Sequence, residues 1–136
     1  MAQYSILIAD DDDLQRKVQK LVLGKVAAGM NAELEIEEAE DSITARNCIS
    51  ERKYNLVILD NEFKDGTKTG HLPGIALLQL MRKEGPNIAS PVIFLSADSY
   101  ETLKSMVEKF GATYCQKARV DADEMIALYT KLLESS

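Results

Sequence analysis

Four short apolar runs in this chain each stop on a polar residue. Ser5–Ala9 leads into Asp10-Asp11-Asp12-Asp13, Leu56–Leu59 into Asp60, Val92–Leu95 into Ser96, and Thr113–Gln116 into Lys117. Runs of four or five residues rich in Ile, Val and Leu suit strands buried on both faces, as in parallel sheets. The stretches between them carry helical spacing. Strand and helix therefore alternate about five times, which predicts right-handed βαβ crossovers and a doubly wound α/β sheet. In such sheets the carboxyl ends of the strands lie side by side and ligands bind there. Carboxylates, a hydroxyl and an ammonium would meet in one pocket, a set that suits a divalent cation and a phosphoryl group.

The helical spacing is specific. Leu14, Val18, Leu21, Val22 and Val26 predict a first helix capped by Asp12 or Asp13, with Gly24 and Gly29 fraying it before Asn31. Leu34–Ala39 alternates with acids and reads as a less buried strand. Asp41 caps a second helix with Ala45, Cys48 and Ile49 inward. Ile75–Met81 follows Pro73-Gly74 as an apolar helix, and Pro91 opens the fourth strand. Leu103, Met106, Val107 and Phe110 form an i, i+3, i+4, i+7 stripe ended by Gly111. Met125, Leu128, Tyr129 and Leu132 mark the last helix, with Asp121 and Glu124 spaced as a capping box. Met81, Met106 and Met125 are expected in the core.

A length of 136 residues suits a single domain over 1–136 that buries roughly two-thirds of its unfolded surface. The net charge of −6 argues against direct nucleic-acid binding and against anionic membranes. The acids Glu33, Glu35, Glu37, Glu38, Glu40 and Asp41 read as a solvated strand edge. Asp10–Asp13 is different, because adjacent carboxylates directly after an apolar strand repel one another. Cys48 and Cys115 lie in apolar surroundings without metal-ligand spacing, so both are expected buried and reduced. With no secretory signal and no membrane-spanning run, a cytoplasmic location is expected.

The stretches Ile6–Arg16, Asn55–Asp60, Pro91–Ala97 and Gly111–Lys117 together resemble the receiver domains of two-component response regulators. The similarity covers essentially the whole chain. It implies a flavodoxin-like, five-stranded parallel sheet in the order 2-1-3-4-5 with five helices. It also implies site roles. Asp60 matches the phosphoacceptor, and Asp10 and Asp11 match the acidic pair that holds Mg²⁺ with Asp60 and the carbonyl of Glu62. Ser96 and Lys117 match the hydroxyl and ammonium that contact the phosphoryl group, and Tyr114 matches an aromatic switch position. Hard oxygen ligands suit Mg²⁺ independently of the resemblance. The implied partners are a histidine kinase or histidine phosphotransfer protein in a phosphorelay. Downstream stands a protein target or an effector domain missing from this chain, with a phosphorylation-dependent dimer as one mode of output. Such a receiver phosphorylates and dephosphorylates itself rather than turning over as an enzyme.

Three features depart from the family. Loop 61–73 is longer than usual, at about the 12–15 residues where unstructured loops are often functional, and it brings Lys64, Lys68 and the sole histidine, His71. His71 is expected exposed. Ala118 replaces the usual proline after the lysine. A cis bond there would cost roughly 2.5–4 kcal/mol, so trans is expected. Glu62 and Asp98 place carboxylates beside the acyl phosphate and are expected to alter its lifetime, with capping of the next helix as a competing role for Asp98. Two other functions fit parts of the pattern. One is a phosphate-independent docking module; the other is a phosphohydrolase using Asp10 and Asp12.

Overall fold

The computed structural model of the chain describes residues 1–63, 73–97, 101–117 and 121–136. The elements alternate as expected: β1 (Ala2–Ala9), α1 (Asp13–Met30), β2 (Ala32–Ala39), α2 (Ser42–Glu51), β3 (Leu56–Asp60), α3 (Gly74–Lys83), β4 (Val92–Ser96), α4 (Glu101–Lys109), β5 (Thr113–Gln116) and α5 (Ala122–Glu134). The strands form one parallel sheet in the order β2-β1-β3-β4-β5, the flavodoxin-like arrangement. No helix among the described residues is long and apolar enough to cross a membrane.

Strand alternation divides the core into two layers. Leu7, Ala9, Val57, Leu59, Val92 and Phe94 face Ala45 and Ile49 of α2, Leu77, Leu78 and Met81 of α3, and Val107 of α4. Ile6, Ile8, Leu56, Ile58, Ile93 and Leu95 face Val22, Leu23 and Val26 of α1 and Met125, Tyr129 and Leu133 of α5. Because β1, β3 and β4 are covered on both sides, they read as unbroken apolar runs. β2 lies at the edge, and its acids are partly paired: Arg52 meets Glu35 and Glu37, while Arg16 and Lys20 meet Glu38.

Several details differ from the sequence expectation. α1 turns Arg16, Gln19, Val22, Leu23 and Val26 inward, leaving Leu14 (66%) and Leu21 (72%) exposed with Val18 between them. The inner face carries two polar residues because each finds partners. Arg16 donates to the Asp10 carbonyl and to Glu38, and the Tyr129 hydroxyl donates to Gln19. Apolar periodicity alone therefore pointed to a rotated face. Gly24 and Gly29 do not fray the helix, which runs on to Met30. Asn31 caps it in the left-handed conformation, at φ 51°, with its N–H on the carbonyls of Ala27 and Ala28. Met106 stays exposed and Cys48 is half-buried, whereas Met81, Met125 and Cys115 are buried. On α5 the buried stripe is Met125, Tyr129 and Leu133, a true i, i+4, i+8 row, with Leu128 and Leu132 at its margin.

Two polar residues not anticipated from sequence tie the loops at the amino ends of the strands. Buried Asn87 accepts from the Tyr54 N–H and the Ser90 hydroxyl and donates to the carbonyls of Ile49 and Arg52. Arg82 reaches across to the carbonyls of Asn87, Ile88, Phe110 and Gly111.

At the opposite end, Gly74 packs against the end of β3. Its N–H donates to the Asn61 carbonyl at 3.2 Å, and a Cβ added there would lie 2.2 Å from the Asp60 carbonyl oxygen. Backbone on both sides leaves no flexible group to yield. Gly74→Ala is expected to lower stability by about 1–3 kcal/mol in urea unfolding, with Asp60 displaced. An unchanged unfolding midpoint would contradict this packing.

Candidate functional site

Sheet register determines which side chains meet. Ala9 pairs with Leu59, so Asp10 follows β1 at the level of Asp60. Asp60 pairs with Leu95, so Ser96 lies one residue beyond it, and Ser96 pairs with Gln116, leaving Lys117 one further. Backbone bonds extend the pattern past the strands: Asp10 N–H to Ala39, Asn61 N–H to Leu95 and Lys117 N–H to Ser96. The four polar endings thus form a staircase across three neighbouring strand junctions.

Asp10 and Asp60 are almost fully buried, at 2% and 1% exposure. One carboxylate oxygen from each of Asp10, Asp11 and Asp60 lies within 4.8 Å of the others. Asp10 Oδ1 accepts from the Asp12 N–H at 2.9 Å, while its buried Oδ2 has no hydrogen-bond partner among the described residues. An orphaned buried carboxylate oxygen beside two further carboxylates is a donor set of hard oxygens, which fits a small divalent cation such as Mg²⁺. Arg16 supports the arrangement, since its guanidinium holds the Asp10 carbonyl at 2.7 Å. Asp12 is engaged elsewhere, accepting from Leu14 and Gln15 as the α1 cap. A hydrolase that pairs Asp10 with Asp12 therefore lacks its second carboxylate.

Lys117 enters from the other side, its Nζ 2.7 Å from Asp60 Oδ1 and 3.8 Å from Glu62 Oε2. Burial pushes the Asp60 carboxyl up to about 6; neighbouring Lys117 opposes the rise and Asp10 adds to it. Burial also raises Asp10, against the Asp12 N–H and Lys117. For Lys117 burial disfavours the charge, but Asp60, Asp10 and Glu62 outweigh it and raise the ammonium. The site thus holds more negative charge than one lysine neutralises.

Glu62 was expected to offer its backbone carbonyl to the cation and to place its carboxylate beside the acyl phosphate. Its side chain also occupies the site: Ser96 Oγ donates to Glu62 Oε1 at 3.0 Å, and the Ala97 N–H lies 3.3 Å from both carboxylate oxygens. Tyr114 is half-buried on β5 and packs against the core layer that contains α4 residue Val107. Lys64, Lys68, His71, Asp98 and Ala118 lie outside the described residues, and with them the expected exposure of His71, the capping by Asp98 and the trans Lys117–Ala118 bond.

The family model of the response regulator receiver domain matches residues 6–130. The chain belongs to this family. Among solved structures, the receiver domain of Francisella response regulator 1452 is 28% identical, with 97% of this chain and 98% of that one covered at a TM-score of 0.71. The receiver domain of sensor histidine kinase PA1611 from Pseudomonas aeruginosa, which has a magnesium ion coordinated in its active-site cleft, is 16% identical. Coverage there is 98% and 99%, with a TM-score of 0.76. The chemotaxis protein CheY4 of Vibrio cholerae is 17% identical, with 96% and 99% covered at 0.74. The last two likenesses concern the receiver fold. No curated protein matches the chain.

The raised Asp60 carboxyl sets a pH test for this receiver. Its folded-state value of about 6 exceeds the ordinary 3.8, so between about pH 4 and 6 the folded metal-free protein binds more protons than the unfolded chain. The stabilisation from this group is complete below about pH 4 and is lost as pH rises through about 6. A cation that takes the deprotonated cluster acts on the other side of that window. Excess Mg²⁺ is therefore expected to raise the calorimetric melting temperature by several degrees near pH 7.5 and hardly at all near pH 4.5. An equal gain at both pH values would show that Mg²⁺ acts elsewhere.

Proposed function

We propose that the chain, as one receiver unit over residues 1–136, accepts a phosphoryl group on Asp60 in a Mg²⁺-dependent reaction and thereby switches partner binding in signal transduction. The observation that carries this reading is a buried Asp60 carboxylate 2.7 Å from Lys117 and within 4.8 Å of the Asp10 and Asp11 carboxylates. When bound, Mg²⁺ would be held by Asp10, Asp11, Asp60 and the Glu62 carbonyl, and it would supply the positive charge that lets an anionic donor approach an anionic nucleophile.

The residues divide the remaining work. A carboxylate oxygen of Asp60 attacks phosphorus in line; the new O–P bond forms as the N–P bond of a phosphohistidine breaks and the imidazole leaves with the electron pair. Lys117, a mobile point charge on a flexible stem, transfers its pairing from the Asp60 carboxylate to the phosphoryl oxygens. The Ser96 hydroxyl and the Ala97 N–H donate to the same oxygens. These interactions form only once the group has arrived, so they can bias two conformations of the strand ends. Tyr114 on β5 would carry that bias toward the α4–β5–α5 surface.

The donor would be a histidine kinase or histidine phosphotransfer protein. The exposed Leu14, Val18 and Leu21 begin one turn after the acidic cluster, which supports a docking face for that protein along α1. Downstream, a separate protein or an effector domain would read the switched surface, with a phosphorylation-dependent dimer as one form of output. The cytoplasm is the compartment in which such a relay operates.

Intact-mass measurement after incubation with Mg²⁺ and acetyl phosphate tests the reading. The wild-type protein is expected to gain one phosphoryl group, and Asp60→Asn or removal of Mg²⁺ by chelation to abolish the gain. No adduct on wild type, with no response to beryllium fluoride, would favour the phosphate-independent docking module. Phosphate release that survives Asp60→Asn but stops with Asp10→Asn would favour a hydrolase.

A further inference from the structure

We infer that Glu62 is an intramolecular competitor of the phosphoryl group: its carboxylate occupies the anion cradle formed by Ser96, Ala97 and Lys117, and it must leave before Asp60 can be phosphorylated. This rests on the phosphoacceptor reading above and adds a regulatory device to it. Two hydrogen-bond donors and one ammonium at ion-pair distance converge on one carboxylate. The Ser96 hydroxyl lies at 3.0 Å from Oε1, the Ala97 N–H at 3.3 Å from both oxygens, and the Lys117 ammonium at 3.8 Å from Oε2. A hydroxyl, a backbone N–H and an ammonium are what a tetrahedral oxyanion next to Asp60 would require. A carboxylate offers two of the same acceptor oxygens at a similar spacing.

The attachment of Glu62 makes this competition effective. Glu62 follows Asp60 by two residues, and the Asn61 N–H is fixed to the Leu95 carbonyl while the Asn61 carbonyl accepts from Gly74. The glutamate thus follows directly on a residue fixed through both its N–H and its carbonyl, so its local concentration at the cradle is high. Lys117 is shared between Asp60, at 2.7 Å, and Glu62. With Glu62 in place, an incoming dianion meets a cradle whose donors are already engaged and a pocket with an extra negative charge. Once the phosphoryl group is on Asp60, Glu62 is expelled toward solvent, where it is already more than one-third exposed.

The consequence is a slow resting uptake that a bound partner would relieve by drawing Glu62 out. The side chain is separable from the metal site, because substitution leaves the backbone carbonyl of residue 62 in place. Glu62→Gln removes the charge, and Glu62→Asp keeps the charge but shortens the reach by one methylene. The initial rate of phosphorylation by acetyl phosphate is read by intact mass, as the Asp60 O–P bond forms, the donor O–P bond breaks and acetate leaves with the electron pair. Both variants are expected to accelerate by at least about threefold, with tighter beryllium fluoride binding. In metal-free wild-type protein the Ala97 amide NMR signal is expected to sit at the low field of a charge-assisted bond and to move upfield in both variants.

An Ala97 signal that does not move shows that the contact is not made, and overturns the inference. So does a signal that moves while uptake stays at the wild-type rate, since contact without competition is then the result. Acceleration in Glu62→Gln but not in Glu62→Asp assigns the effect to net charge and likewise overturns it. Slower uptake in the variants would make Glu62 an aid to phosphorylation. A wild type that takes up no phosphoryl group at all removes the phosphoacceptor reading itself, and the competitor role with it.

Discussion

The structure depends on forcing two buried carboxylates to face one another. β1 and β3 are adjacent parallel strands, and the apolar residues that precede Asp10 and Asp60 are packed on both sides. The core therefore determines where the strand ends lie, and the repulsion between their terminal acids cannot be relieved by moving apart. Burial and mutual repulsion together push Asp60 up toward neutral pH. Such a site is stable only with a proton, an ammonium or a metal ion in it. Lys117 supplies part of that charge, and the rest of the chemistry follows from what supplies the remainder.

The same constraint explains why the anion cradle lies where it does. Each strand to the right of β3 ends one residue later in register, so Ser96 and Lys117 rise past Asp60 in steps and form a wall beside it. Gly74 then brings the first turn of α3 against the Asp60 carbonyl. Glu62 lies against that wall, in contact with Ser96, Ala97 and Lys117. Its carboxylate meets the cradle because the preceding Asn61 is fixed through both its N–H and its carbonyl, which makes Glu62 a resident anion of the site.

Much of this was legible in the sequence because the information is local. An unbroken apolar run identifies a strand covered on both faces, and the residue that ends it falls at the carboxyl edge whatever the helices do. Asp10, Asp60 and Ser96 were found that way, Lys117 came from the end of the less apolar edge strand β5, and the family pattern added Asp11, Glu62 and Tyr114 as roles that the geometry supports for Asp11 and leaves as proposals for the others. What sequence missed was tertiary. Arg16 and Gln19 look like surface residues, yet both face inward because the Asp10 carbonyl, Glu38 and Tyr129 wait there. Asn87 gave no signal, since three of its four partners lie in the stretch 49–54, more than thirty residues away. The side chain of Glu62 was expected beside the acyl phosphate and not on the Ser96 hydroxyl and Ala97 N–H, because spacing alone cannot show which donors a flexible glutamate reaches.

The decisive measurement is a crystal structure grown with Mg²⁺ and beryllium fluoride. The fluoride adduct is expected on a carboxylate oxygen of Asp60, its fluorine atoms accepting from Ser96 Oγ, the Ala97 N–H and Lys117 Nζ, with the Glu62 carboxylate displaced from all three. An adduct on another residue, or on Asp60 with Glu62 still bonded to Ser96, would contradict it.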